Sequence, residues 1–184
     1  MTHPVLAAAD LTGRPVAAAD YTEFMAAYGH LFDHSPWVAE RAWTHAPFAD
    51  AKALHGAILQ VLASASEDER LALARAHPEL ADKLAIAEGL TEDSAKEQAS
   101  AGLDRLSPEE YDVFSGLNRA YRDKFGFPFI ICVKLNDRAS ILAAMRRRLD
   151  HTAPQELDEA MTQVGLIGQL RLADIKVPNV KGQG

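Results

Sequence analysis

Apolar residues three and four apart, broken at short intervals by helix-starting and helix-stopping residues, constrain this chain more than any other feature. Phe24, Ala27, Tyr28 and Leu31 fall on one helical face behind Asp20-x-x-Glu23, which has capping-box spacing. Ser35-Pro36 sets a cap residue before a proline and predicts a helix through Trp37 and Trp43, ended by Pro47. Leu54, Ile58, Val61 and Leu62 predict the next. Ser66-x-x-Glu69 is a second capping box, and its helix must falter near His77, because a residue before proline avoids helical dihedrals. A short helix is expected over 78–87, ahead of Gly89, and Thr91 caps another through Ser94 to Ser100. Ser107-Pro108-Glu109-Glu110 opens a longer one, ended near Phe125 by Gly126. Helices over 138–149 and 154–176 complete a fold of about eight helices, the short 78–87 stretch apart, with an irregular lead-in and a frayed tail after Val177.

The expected fold is therefore all-α: one compact helical domain over residues 1–184, with its core over about 18–177. A length of 184 residues suits one domain with a sizeable core. With 19 Lys and Arg against 26 Asp and Glu, the net charge of −7 argues against a nucleic-acid or anionic-membrane partner. No apolar run is long enough for a membrane span, and Met1-Thr2-His3-Pro4 lacks the marks of a secretory leader. Cys132 is the only cysteine, which leaves no intrachain disulfide and no multi-cysteine metal site.

One segment breaks the helical text. Phe127-Pro128-Phe129-Ile130-Ile131-Cys132-Val133 reads as extended and buried, yet nothing else reads as a partner strand. Its backbone groups must be paired somewhere. A second subunit, neighbouring helices, or a ligand are the alternatives, beside a plain connector satisfied by side chains and water.

Few residues offer chemistry. His77 stands at a proline-fixed helix break, with a pKa suited to proton transfer, though histidines also serve there as caps. Ser94, Glu97 and Gln98 share one helical face, which is either solvated or the lining of a polar pocket; Ala95 and Ala99 lie on another that suits close packing. Arg171 interrupts the line Leu157, Met161, Val164, Ile167, Ile175, so it must snorkel or meet an anion. His30 and His34 have helical metal-ligand spacing without a convincing third ligand, so no metal is expected. Arg146-Arg147-Arg148 reads as a solvated helix end. No nucleophile elbow, phosphate loop or dinucleotide fingerprint is present.

Taken in order, these pieces resemble a known family. They are His34-Ser35-Pro36-Trp37-Val38, His77-Pro78-Glu79-Leu80, Ser94-x-x-Glu97-Gln98, Ala101-Gly102-Leu103-Asp104, Phe125-Gly126-Phe127-Pro128-Phe129-Ile130-Ile131-Cys132 and Leu170-Arg171-Leu172. The chain is similar to the 2-oxo-4-hydroxy-4-carboxy-5-ureidoimidazoline (OHCU) decarboxylases over about residues 18–177.

The resemblance implies an all-helical homodimer without metal or organic cofactor that decarboxylates OHCU to (S)-allantoin in uric acid degradation. It implies His77 as the catalytic acid and Glu97 as a second catalytic group. Pro78, Ser94, Ala95, Lys96, Gln98, the backbone of Phe129, Ile130, Ile131, Cys132 and Val133, and Arg171 would contact the substrate. Val133 stands where the family often has alanine, a small matter for a backbone contact. The last residues, Lys181-Gly182-Gln183-Gly184, do not read as a peroxisomal Ser-Lys-Leu address, which favours the cytoplasm. Two other readings stay open: a non-catalytic helical binding or regulatory module, and a decarboxylase of a related ureido acid.

Overall fold

The computed structural model describes residues 9–81 and 90–175. The described residues form eight α-helices and no strand. They are α1 (Tyr21–Tyr28), α2 (Trp37–Trp43), α3 (Ala51–Ser64), α4 (Glu67–Ala76), α5 (Glu92–Ser100), α6 (Pro108–Phe125), α7 (Arg138–Arg148) and α8 (Ala153–Asp174), with a 3-10 turn at Val133–Leu135. None is long and apolar enough to cross a membrane. The helix expected over 78–87 lies outside the described residues from 82 onward, as does the tail after Val177. Residues 78–81 are not helical.

The local signals explain most boundaries. Asp20 and Asp50 accept hydrogen bonds from the first turns of α1 and α3. Ser66 with Glu69, and Ser107 with Glu110, form full capping boxes on α4 and α6, each satisfying two otherwise orphaned backbone donors. Gly126 ends α6 in the left-handed region at φ 75°, where only glycine is free of a Cβ penalty. At α2 the expectation shifts by one residue: Pro36 is the cap itself, and Ser35 makes no capping bond there.

The helices gather into two compact units. One unit lies within Ala9–Ala65 and takes in α8 from Gly168 onward. In it α1 packs on α2, and α2 on α3. Phe24 is wholly buried at its centre, with ring centroids 4.9 Å from Trp43 and 5.0 Å from Tyr28. Burial of such a side chain contributes roughly 1.5–3 kcal/mol. Gly168 brings the α8 backbone so close to Phe32 that an added Cβ would stand 2.7 Å from its ring. A side chain there would clash.

The other unit lies within Ser66–Ile167. Its aromatic core is built on Tyr121, whose ring meets Phe127 and Phe129 edge-on at 5.9 and 5.3 Å. Arg148 is not the solvated helix end that its sequence context predicts. Its neighbours Arg146 and Arg147 are exposed, but Arg148 is 1% exposed, because the helix turns its last residue inward to a buried acid. Its guanidinium lies 4.4 Å over the Phe129 ring and donates to Glu156 through Nε at 2.8 Å and Nη2 at 2.5 Å. Tyr121 donates its hydroxyl to the same carboxylate, and His151 Nδ1 stands 2.7 Å from the other oxygen. A buried charge pair of this kind is tolerable only when every lone pair is used.

Candidate active site

The candidate site residues other than Arg171 fall on three stretches of the Ser66–Ile167 unit. The first begins where α4 stops. Pro78 forbids a further helical turn, and His77 swings to φ −72°, ψ 140° as the C-cap. Its imidazole is 7% exposed, with Nδ1 2.9 Å from the Leu73 carbonyl oxygen. A carbonyl can only accept, so the hydrogen sits on Nδ1. Any proton the ring gives or takes therefore passes through Nε2.

Behind His77 the chain is pinned. Ala81 adopts φ 57°, a left-handed conformation costing roughly 1–2 kcal/mol in a residue with a Cβ. Gln98 Oε1 accepts from the Ala81 amide at 3.0 Å, and Gln98 Nε2 donates to the Glu79 carbonyl at 3.4 Å. Asn118 Nδ2 donates to the Leu80 carbonyl at 2.7 Å. Glu79 also pairs with Arg122 at 3.2 Å. Strain held by this many bonds is characteristic of backbone kept in place for a purpose.

The second stretch is α5. Thr91 caps it, and Ser94, Glu97 and Gln98 are its buried residues. That decides between the two readings of this face: it points inward. Keeping a carboxylate such as Glu97 at 8% exposure is costly unless polar groups surround it. Ala95 and Lys96 lie on the solvent side, where Lys96 forms an i, i+4 ion pair with Glu92 at 2.5 Å. The close packing expected of Ala95 is thus not seen, because α5 buries its polar face and exposes that alanine.

The third stretch is the extended segment, with Phe127, Phe129, Ile130, Ile131, Cys132 and Val133 all buried. It has no ladder partner among the described residues. Helices supply its backbone bonds instead: Arg148 Nη1 donates to the Ile130 carbonyl at 2.8 Å, and Gln163 Oε1 accepts from the Cys132 amide at 2.9 Å. Asn136 Nδ2 and the Leu135 amide both donate to the Cys132 carbonyl, at 2.9 and 3.1 Å. The 3-10 turn that follows packs against α5. The loop after His77-Pro78 is thus tied to α5 by the bonds of Gln98 to Glu79 and Ala81, and α5 packs against the end of the extended segment.

Arg171 belongs to the other unit. Its Nη1 donates to the Leu31 carbonyl at 3.0 Å and to Asp33 at 3.2 Å, so the anionic partner its sequence context demands is Asp33. The metal-ligand spacing of His30 and His34 loses its premise, since α1 ends at Tyr28 and His34 sits at φ 52°, off any helix. Among the described residues no three His, Cys, Asp or Glu side chains are grouped to hold a metal.

Sequence reasoning missed Gln163, Asn118, Arg148 and Asp33. The Arg171 pattern could have directed a search for an acid between buried positions, as Asp33 lies between Phe32 and Ser35. Gln163 and Asn118 carried no comparable signal.

A family model described as OHCU decarboxylase matches residues 17–173. A 2-oxo-4-hydroxy-4-carboxy-5-ureidoimidazoline decarboxylase of Halalkalicoccus jeotgali is 42% identical over 168 residues, covering 91% of this chain and 93% of its own. A crystal structure of (S)-allantoin synthase superimposes with a TM-score of 0.62 at 30% identity, over 83% of this chain and 49% of that longer one. A crystal structure of OHCU decarboxylase in the presence of (S)-allantoin shares the fold, with a TM-score of 0.64 at 22% identity over 84% and 96% of the two chains.

Proposed function

This chain belongs to the OHCU decarboxylase family, and from that premise we propose that it converts OHCU to (S)-allantoin in uric acid degradation, with His77 as its acid and Glu97 as its carboxylate. The observation that carries the assignment is the His77 ring: buried, held in one tautomer by Leu73, and backed by a loop that Gln98 and Asn118 pin.

The substrate's chemistry sets what the protein must supply. Its carboxylate and a hydroxyl share one ring carbon, beside the ureido-bearing carbon of a C=N bond. When the C–CO2 bond breaks, its electron pair forms a new C=C bond while the imine nitrogen takes up negative charge. The C=N bond is the electron sink, so neither metal nor organic cofactor is required. A proton must then arrive on one face of the ureido-bearing carbon; the hydroxyl gives up its own proton as its carbon becomes a carbonyl, and the negative ring nitrogen takes one up. Holding the substrate in one orientation and protonating one face make the product handed.

In this scheme His77 Nε2 delivers or directs the proton. Glu97 accepts from the substrate's hydroxyl or ureido N–H groups, with Ser94 and Gln98 on the same buried face. Pro78 and the backbone of the 129–133 segment complete the enclosure. The working form is a homodimer located in the cytoplasm; a single buried cysteine accords with a reducing compartment.

The test is to generate OHCU in place from urate with the two upstream enzymes and to follow optical activity. With this protein the signal of (S)-allantoin should build rapidly. A course identical to that of the spontaneous reaction would refute the activity.

A further inference from the structure

The extended segment is anchored in a way that fixes more than its position. The peptides on either side of Ile131 are trans, as are all described peptides except Ala46–Pro47. In a trans peptide the C=O and N–H point in opposite directions. Arg148 holds the Ile130 carbonyl, so the Ile131 N–H of that same peptide points away from Arg148. Gln163 holds the Cys132 amide, so the Ile131 carbonyl points away from Gln163. Two side chains from two helices thereby set both polar groups of one residue.

Neither anchor is loose. Arg148 is clamped by Glu156 through two nitrogens, and Glu156 by Tyr121 and His151. Gln163 presents its oxygen because its own amide nitrogen donates to Glu159 at 2.8 Å, which fixes the flip of the side chain. Buried networks with every member satisfied make the groups they hold rigid.

We propose that Arg148 and Gln163 are positioning residues of the decarboxylase: by occupying the Ile130 carbonyl and the Cys132 amide, they aim the Ile131 N–H and carbonyl at the substrate. The inference rests on the functional reading above, in which the backbone of this segment contacts OHCU. Neither residue takes part in proton transfer. Each acts through the peptide it holds, and a 1 Å misplacement of a binding group can cost about 100-fold in rate.

The experiment replaces the anchors and reads both backbone and catalysis. Gln163→Met keeps length and removes the acceptor. The exchanged pair Glu159→Gln/Gln163→Glu restores an acceptor at 163 and a donor at 159. Amide hydrogen exchange without substrate should show Cys132 protected in the parent, unprotected in Gln163→Met, and protected again in the exchanged pair. In the same proteins kcat/KM should fall about 10-fold or more in Gln163→Met, with loss of product handedness, and recover in the pair. Arg148→Lys shortens the second anchor and should act the same way; should it fail to fold, the Gln163 series decides alone. A folded Gln163→Met protein with parental kcat/KM and parental handedness would overturn the proposal. Absence of turnover in the parent would instead remove the functional reading, while the exchange data would still judge the anchoring.

Discussion

The Arg171 guanidinium donates to Asp33 at 3.2 Å and to the Leu31 carbonyl at 3.0 Å, and neither charged side chain is more than 4% exposed. One bond thus ties the end of α8 to the turn after α1, across 138 residues of sequence. Removing the cation leaves a carboxylate buried beside an apolar side chain. Arg171→Leu should therefore cost stability of about 3–5 kcal/mol, the usual penalty for half of a buried pair. The double variant Asp33→Asn/Arg171→Leu should recover a large part of it. Denaturant melts of the parent, single and double variants check this; a single variant as stable as the parent would show that the pair carries no weight. Turnover of the folded double variant then reads the substrate contact expected of Arg171 apart from its structural bond.

A second prediction concerns alkaline pH. Burial, and next the Glu156 carboxylate that accepts its hydroxyl, push the Tyr121 phenol well above the ordinary 10.0. A group raised in the folded state contributes stability that is complete below its unfolded value and is lost as pH rises toward the folded one. The protein should lose stability progressively above about pH 10, as the unfolded chain ionises a phenol that the folded chain keeps protonated. Tyr28, raised by burial, adds to the same slope. Tyr121→Phe should flatten that branch in pH-dependent melts. An unchanged slope would contradict the assignment.

Much of the fold was legible because local chemistry decides helix ends. Ser66 with Glu69, Ser107 with Glu110, and Gly126 after Phe125 are all signals within five residues, and each boundary falls where they put it. The inward face of α5 was not decidable from spacing, since Ser94, Glu97 and Gln98 form an equally good solvated stripe; only packing against the Val133–Leu135 turn settles it. The burial of Arg148 has no local signal, because a run of three arginines at a helix end matches the dipole rule, and nothing nearby in sequence announces Glu156 as an acid without access to water. The partners of the extended segment come from helices 18 and 31 residues away, so its alternatives could not be reduced in advance.

A third prediction follows from the electron sink. Because the substrate's own C=N bond receives the departing pair, activity should survive exhaustive chelation and dialysis unchanged. Activity lost on chelation and restored by zinc or manganese would require a metal role, and would reopen the question of ligands.

In the proposed mechanism His77 brings a proton to one face of the substrate. With its own electron sink, OHCU should also lose carbon dioxide unaided in water, where either face is open, so total product is a poor measure and handedness a good one. The decisive measurement is the enantiomeric composition of allantoin, with the rate, for His77→Ala and His77→Asn in folded protein. Both should lower the rate by the roughly 10²–10⁴-fold typical of a general acid and move the product toward racemic. Glu97→Gln should impair turnover while the protein stays folded, separating the need for a carboxylate from the need for its shape. If His77 only caps α4, its loss would cost about 1 kcal/mol of stability and leave one enantiomer. A folded His77→Ala protein that yields (S)-allantoin at the parental rate would remove His77 from the mechanism.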